Sequence, residues 1–260
     1  PDFSYLFDRM DKDKDLYLLD PYKLKSFDGT DMPKVVSTTL NDPAVFAHRA
    51  IAILSSADPQ RLVESDTMNA TQENDVEQFM EALEYENDAR LARMVRGMAF
   101  SFFCEQACVR GWLTGASLLR EDKNHNLVVD RRPLDSRCVT YEPGLDGLHW
   151  GCYKTTRSRR KILDEYGHDI APEEKIEIRD TYSRTHNQVW IGEDKIRDRL
   201  HPFKKPNGDG YVPFVIQPIP TGSMLQDDDV LLHQGESIFA LDRAIYPKLN
   251  EMVSVLENLT

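Results

Sequence analysis

The chain has 260 residues and a formal net charge of -12, with 40% hydrophobic and 29% charged residues. This is an ordinary globular composition, long enough to bury a sizeable core as one large domain or two smaller ones. No run approaches the roughly 18 consecutive apolar residues of a membrane-spanning helix, so we expect no membrane partner. Acid is concentrated over residues 58–88, which argues against wrapping nucleic acid there, because phosphate contacts need basic side chains.

Residues 1–110 are predicted to form an acidic, mainly helical part. Residues 2–31 are acidic and turn-rich, whereas Asn41, Asp42 and Pro43 are typical of a helix start, with proline in the first turn. A second helix is expected over 71–86, where Asn74 and Glu77 have capping-box spacing. The acidic run, residues 58–88, holds ten acidic residues and a single basic one.

A long apolar helix over residues 88–110 is the predicted centre of the fold. Leu91, Met94, Met98 and Phe102 recur at three- and four-residue spacing and share one face. The second half is apolar almost all round, so it needs cover on several sides. Gly111 is a good stop for this helix.

Residues 111–220 are predicted to be rich in strands. A short helix over 157–166, ending at Gly167, interrupts them. Consecutive strands joined by short turns predict an antiparallel sheet. The expected strands are 113–121, 126–130, 137–141, 148–154, 174–182, 188–191, 195–200 and 211–219.

Residues 221–260 are predicted to contain one long helix. From Ile238 to Leu259 apolar residues follow at three- or four-residue spacing and stay in phase across Pro247. An interior proline kinks a helix, so we favour a bend there; the alternative is a fresh helix starting at Pro247. The predicted class is therefore α+β, with helices packed on a mostly antiparallel sheet and a long kinked C-terminal helix.

The residues that carry chemistry form no recognisable catalytic pattern. The histidines are scattered, there is no glycine-rich phosphate loop, and Cys104, Cys108, Cys138 and Cys152 lack the repeated pairing of a zinc site. Cys104 and Cys108 are expected to be small apolar filler in a reduced protein. We predict no catalytic, cofactor-binding or metal-binding residues, and hence no enzyme.

One alternative stays open. Asp180 followed by Glu193 and Lys195 matches an acid…acid-x-Lys pattern of some metal-dependent nucleases. Gly192, directly before this pair, favours a solvated hairpin turn instead.

A basic cluster stands out in this acidic chain. It can be a charged strand end and helix start, or a subunit-interface patch matched to the acidic run of a neighbouring copy. Such a head-to-tail contact closes into a ring when the rotation allows. The cluster consists of Lys154, Arg157, Arg159, Arg160 and Lys161.

Several stretches resemble the portal, or head-to-tail connector, proteins of tailed double-stranded-DNA bacteriophages. The likeness is one of pattern and covers about residues 35–260. The stretches are TLNDP at 39–43, WLTGAS at 112–117, LDSRCVTY at 134–141, GLDGLHW at 144–150, GESI at 235–238 and YPKLN at 246–250.

The resemblance implies a homo-oligomeric ring, usually of twelve subunits, at one capsid vertex of the virion. Double-stranded DNA would pass through without sequence-specific binding, and the major capsid protein, the terminase motor and head-completion or tail adaptor proteins would be partners. Assembly would take place in the host cytoplasm. We expect a partial chain covering the wing region, with 221–260 leading toward a stem. A metal-dependent nuclease and a monomeric capsid-associated adaptor are the competing hypotheses.

Overall fold

The chain folds into two compact units. A computed structural model describes residues 2–121, 125, 127–171, 175–201, 204–205, 207–225 and 231–259. The sheet unit comprises Pro1–Phe3 and Thr114–Ile216, and the helical unit comprises Ser4–Leu113 and Gln217–Thr260. The predicted segments 1–110 and 221–260 thus contribute to the same unit, whereas 111–220 supplies nearly all of the other.

The predicted α+β class is confirmed, because helices occur together with antiparallel sheets. In the described part of the chain no helix is both long and apolar enough to cross a membrane. In chain order the elements are α1 (Ser4–Leu18), α2 (Asp42–Ser55), α3 (Ala70–Arg93), α4 (Ala99–Arg110), β1 (Trp112–Glu121), β2 (Leu127–Leu134), β3 (Val139–Gly144), β4 (Gly147–Ser158), α5 (Arg159–Tyr166), β5 (Lys175–Ser183), β6 (His186–Ile191), β7 (Asp194–Leu200), β8 (Phe214–Pro218) and α6 (Ile245–Leu259).

Helix α1 lies in the stretch 2–31, which the sequence analysis describes as turn-rich and in which it identifies no helix. Its inward face carries Arg9, Met10 and Asp13, all buried. Two of these three side chains are charged, and hydrophobic periodicity does not reveal a helix whose buried face is polar. Helix α2 starts as predicted, with Asn41 at the N-cap and proline in the first turn.

The predicted continuous helix over 88–110 is wrong, because the chain breaks between α3 and α4. Helix α3 covers both the expected helix over 71–86 and the first residues of the predicted central helix over 88–110. Its capping box uses Asn69 and Gln72 rather than Asn74 and Glu77. The apolar periodicity runs unbroken across the break, so Gly97 is the local sign of it.

The break is a helix-ending turn with valine in a position that favours glycine. The N–H groups of Arg96 and Val95 donate to the carbonyls of Leu91 (3.0 Å) and Ala92 (2.9 Å), which is the Schellman pattern. Val95 adopts φ 57° and its side chain is 95% exposed. Asp88, still within α3, accepts the N–H of Ala99 at 2.9 Å and so caps α4.

Substituting Val95→Gly is expected to raise the free energy of unfolding by about 1 kcal/mol, because a left-handed conformation strains a β-branched residue. Because Val95 is exposed, replacing it with glycine removes little buried apolar surface. Urea unfolding followed by circular dichroism measures the change. Val45→Gly in α2 is the matched control and should destabilise, since glycine disfavours a helix interior. A loss of stability in Val95→Gly would contradict the assigned turn.

The helical unit has its apolar core where α2, α4 and the 238–244 turns meet. Ala47, Cys108, Val109 and Phe239 are each at most 4% exposed. Cys104 is also buried, so Cys104 and Cys108 occupy interior positions as predicted. Gly111 ends α4 in the left-handed conformation, also as predicted.

The C-terminal helix is shorter than predicted and has no interior proline kink. Residues 238–244 form successive turns, and α6 begins only at Ile245. Pro247 therefore lies in the first turn, where no intrahelical partner is lost with its missing N–H. The alternative of a fresh helix near Pro247 describes this region better than the bend.

The sheet unit contains the predicted meander. Five strands pair antiparallel in the order β3-β4-β5-β6-β7, and β2, β1 and β8 form a second sheet in the order β2-β1-β8. Strands β1 and β2 form the predicted hairpin, but most of its turn, 122–125, lies outside the described residues. Helix α5 packs on β4 and ends at Gly167 in the left-handed conformation, as predicted.

Tyr182 makes the stability of the sheet unit sensitive to high pH. Its ring is 7% exposed and packs edge-on against Phe214, with 5.9 Å between centroids. Burial raises the pKa of the phenol to about 12 from an ordinary 10. As pH rises, the phenol ionises in the unfolded chain before it ionises in the folded chain. The stabilisation of the folded state that Tyr182 provides is therefore complete below about pH 10 and is lost as pH rises toward about 12.

Between about pH 9 and about pH 12, Tyr182 alone is expected to lower the free energy of unfolding by roughly 2–3 kcal/mol. Urea unfolding of the wild-type chain and of Tyr182→Phe at both pH values measures it. The phenylalanine variant keeps the ring packing and should lose correspondingly less stability. Equal losses in the two chains would contradict the assignment.

Candidate functional site

Helix α6 packs a polar stripe, rather than its apolar one, against the rest of the helical unit; two of the three polar residues, Asn250 and Ser254, are buried. Asn250, Ser254 and Asn258 follow at four-residue spacing, so they share one face of the helix. Their side-chain oxygens accept three backbone N–H groups of the extended segment 36–40, each at 2.9 Å. The pairs are Asn250 with Leu40, Ser254 with Thr38 and Asn258 with Val36.

The opposite face of α6 carries an exposed apolar stripe. Ile245 and Ser254 are about two and a half turns apart, so they point to opposite sides of the helix. The stripe consists of Ile245 (49% exposed), Leu249 (37%), Met252 (60%), Leu256 (60%) and Leu259 (77%).

This arrangement is the reverse of an ordinary surface helix, which turns its apolar face to the core. A contiguous exposed apolar stripe is typical of an interaction surface. The sequence pattern located these apolar residues but did not indicate which face of the helix is covered. The missed signal is the Asn250, Ser254 and Asn258 repeat, which provides an alternative buried face.

Part of the acidic run holds an extended segment on α3. Glu77 accepts the backbone N–H of Val63 at 2.8 Å, and Glu73 accepts that of Ser65 at 2.9 Å. Glu84 forms an ion pair with Arg61, the basic residue of this run. Several carboxylates of the acidic run therefore stabilise the local fold through hydrogen bonds and an ion pair, in addition to forming a solvated face.

The basic cluster lies at the junction of β4 and α5, as expected, but most of its charges already face carboxylates of the same unit. Lys154 pairs with Glu177 at 2.7 Å, Arg157 with Glu165, Arg159 with Asp169 at 2.5 Å, and Arg160 approaches Asp164 at 3.9 Å. Lys161 is exposed. The side chain of Arg160 is 92% exposed and is the most accessible of the four paired cations.

The residues of the nuclease hypothesis have unlike surroundings. Asp180 is 8% exposed, accepts the side-chain amide of Asn187 at 2.7 Å, and has its pKa raised by burial. Lys195 pairs with Asp198 at 2.6 Å, and Glu193 lies in the exposed turn between β6 and β7. Asp180 and Lys195 thus have local polar partners, whereas Glu193 is an exposed turn residue.

A shallow depression of about 210 Å³ lies on the β5–β7 face, lined by Thr181, Ser183, His186, Gln188 and Asp198. Among the residues that the structure describes, no group of three or more His, Cys, Asp and Glu side chains is arranged to hold a metal ion. The arrangement that most directly indicates a function is therefore the apolar stripe of α6.

A scan against protein-family models gives no match for the chain, and a search of curated proteins gives none either.

Proposed function

We propose that this protein is a structural subunit of a tailed-bacteriophage portal. In this proposal, copies of the chain close into a ring, usually of twelve, at one vertex of the capsid. Double-stranded DNA passes through the ring during packaging and ejection. The terminase motor, the tail adaptor proteins and the major capsid protein bind around it.

The observation that carries the proposal is the exposed apolar stripe of α6. A protein that works as part of a permanent assembly needs such surfaces, because its subunits bury them against each other. Other exposed apolar side chains of the helical unit agree, among them Phe46 (56% exposed) and Ile53 (71%) of α2. These surfaces, together with the resemblance in sequence pattern, favour an assembling protein over a monomeric adaptor.

The charge of the chain suits a conduit for DNA. A net charge of -12 repels a polyanion, and attractive contacts would slow its passage. Lys154, Arg157 and Arg159 are closely paired with carboxylates, so these three offer little unbalanced positive charge to phosphate. This favours passage without sequence-specific binding.

The basic cluster is also the proposed contact for the acidic run of a neighbouring copy. Arg160 is its most accessible paired member, with only a loose partner at 3.9 Å. Arg160→Glu should therefore weaken assembly, and the loss should be largest at low salt. Lys12→Glu, at an exposed position of α1, is the control. Equal assembly of both variants would remove this contact from the proposal.

The mass of the purified protein by light scattering tests the proposed function. We expect a large closed oligomer whose mass stays constant over a tenfold dilution. A single-chain mass at every concentration would overturn the ring and favour the monomeric adaptor.

A further inference from the structure

We infer that the outer edge of β7 binds an extended acidic peptide segment of another protein, which adds a further strand to the five-stranded sheet. The inference goes beyond the proposed ring and does not depend on it, because a single chain carries the whole surface. It rests on the direction of the backbone groups of β7 and on the charge of two of its side chains.

Strand β7 ends the sheet and turns a row of backbone groups outward. The N–H of His201 donates to the carbonyl of Thr185 at 3.0 Å, so the backbone groups of His201 face β6. In an antiparallel pair these groups alternate in direction. Those of Arg199 therefore also face β6, whereas those of Asp198 and Leu200 point to the outer edge. Both of these residues are exposed, Leu200 to 72%.

The charge of this edge favours an acidic partner. Arg197 and Arg199 lie on one face of β7, and among the residues that the structure describes neither forms an ion pair. The guanidinium of Arg197 lies over the ring of Tyr166, 5.3 Å from its centroid. Asp198 lies on the other face and pairs with Lys195 at 2.6 Å, so its charge is already balanced. Two positive charges thus remain at the edge.

The register of an added strand would match these charges. In an antiparallel pairing, the residues opposite Arg197 and Arg199 would form the pairs without hydrogen bonds, in which the side chains lie closest. Opposite charges at such positions stabilise the pairing of two strands. The partner that fits is therefore an extended segment with acidic side chains at every second position.

The backbone of the edge distinguishes a peptide from a nucleic acid. Asp198 and Leu200 each present an N–H donor and a carbonyl acceptor in strand geometry, and an extended peptide can satisfy both. Phosphate groups would use only the positive charges. Charged side chains also keep apolar and basic strands away from a sheet edge, which leaves an acidic strand as the favoured partner.

Fluorescence anisotropy with the full chain and a labelled peptide tests the inference. The probe is an end-capped peptide of threonine and glutamate in strict alternation. It should bind about fivefold more tightly than a peptide of the same composition with its glutamates adjacent. A version with lysine for glutamate should not bind. Equal binding of the two acidic peptides, or equally tight binding of a duplex oligonucleotide, would overturn the inference.

Leu200→Pro tests the backbone contact. It removes an N–H that points outward, a position where an edge strand accepts proline, so the pairing with β6 should remain. We expect about tenfold weaker binding of the alternating peptide. Leu200→Ala keeps the N–H and should change binding less than twofold. Wild-type urea midpoints show that both variants fold, and equal binding by the two would overturn strand addition.

Arg199→Glu tests the charge independently of proline. It should weaken binding about tenfold, and more at low salt. Lys175→Glu, the same charge change at an exposed position where β5 begins, is the control and should change binding less than twofold. Equal losses in both variants would overturn the inference. A chain that stays monomeric but binds the peptide would overturn only the ring, whereas a ring that ignores the peptide would overturn only this inference.

Discussion

Replacing Glu236 with alanine is expected to lower the free energy of unfolding of the helical unit by about 3–5 kcal/mol, because it leaves buried positive charge unpaired. Glu236 is 6% exposed. One of its carboxylate oxygens accepts Arg9 at 3.0 Å, and the other accepts Arg243 at 2.8 Å. Burial would raise the pKa of Glu236, but hydrogen bonds from Arg243 and His233 hold it below its ordinary value.

The same network ties α1 to the 231–243 segment. Asp13, 1% exposed, accepts Arg243 at 2.5 and 2.8 Å and Ser237 at 2.8 Å. Arg9 also donates to the carbonyls of Leu232, Gln234 and Gly235. Loss of Glu236 therefore affects both arginines that organise this segment.

Urea unfolding measures the effect, and the exposed pair of Asp8 and Lys12 on α1 is the matched control. Their atoms lie 2.7 Å apart, but both side chains are at least 60% exposed. Asp8→Ala should cost less than about 1 kcal/mol. Similar losses for Glu236→Ala and Asp8→Ala would contradict a buried network.

Gly111→Ala is expected to destabilise the helical unit by about 3–5 kcal/mol, from left-handed strain and overpacking together. Gly111 has φ 71°, and an added Cβ would lie 2.0 Å from the carbonyl oxygen of Gly235. The atoms in the way are backbone and cannot move as a flexible side chain would. The Gly111 carbonyl also accepts the N–H of Ile219 at 3.0 Å. This hydrogen bond further restricts movement of the Gly111 backbone.

Gly167 provides a control that separates the two causes. It ends α5 with φ 68°, but an added Cβ would meet nothing within 4 Å. Gly167→Ala should therefore cost only about 1–2 kcal/mol, the strain of the left-handed conformation. If both alanine variants lose the same stability by urea unfolding, the close approach of Gly111 and Gly235 has been assigned wrongly.

The strands were predictable because their signals are local. Turn residues separate the runs, and the predicted strands lie on the observed ones with differences mainly at the ends. Gly111 and Gly167 end their helices as expected, since the left-handed C-terminal position favours glycine over other residues.

The helices were harder to predict, because in the helical unit polar groups face inward. Helix α1 was missed since Arg9 and Asp13 form its buried face. The apolar residues of α6 were located, but the covered face of this helix was not predicted, because the segment 36–40 that packs on its polar face is distant in sequence. Only tertiary partners decide which face is covered.

The candidate site shows the same limit. The basic cluster was recognised from composition, but its carboxylate partners, such as Asp169 for Arg159, depend on how the chain folds back. The break at Val95 has only a weak local signal, Gly97 two residues later, and valine itself is seldom left-handed. The sequence pattern thus predicts strands and helix ends better than exposed surfaces.

Electron-microscopic class averages of the purified protein test the central proposal most directly. We expect closed annular particles, built from many copies, with a hole along the axis. Compact particles the size of one chain, without a hole, would contradict the account.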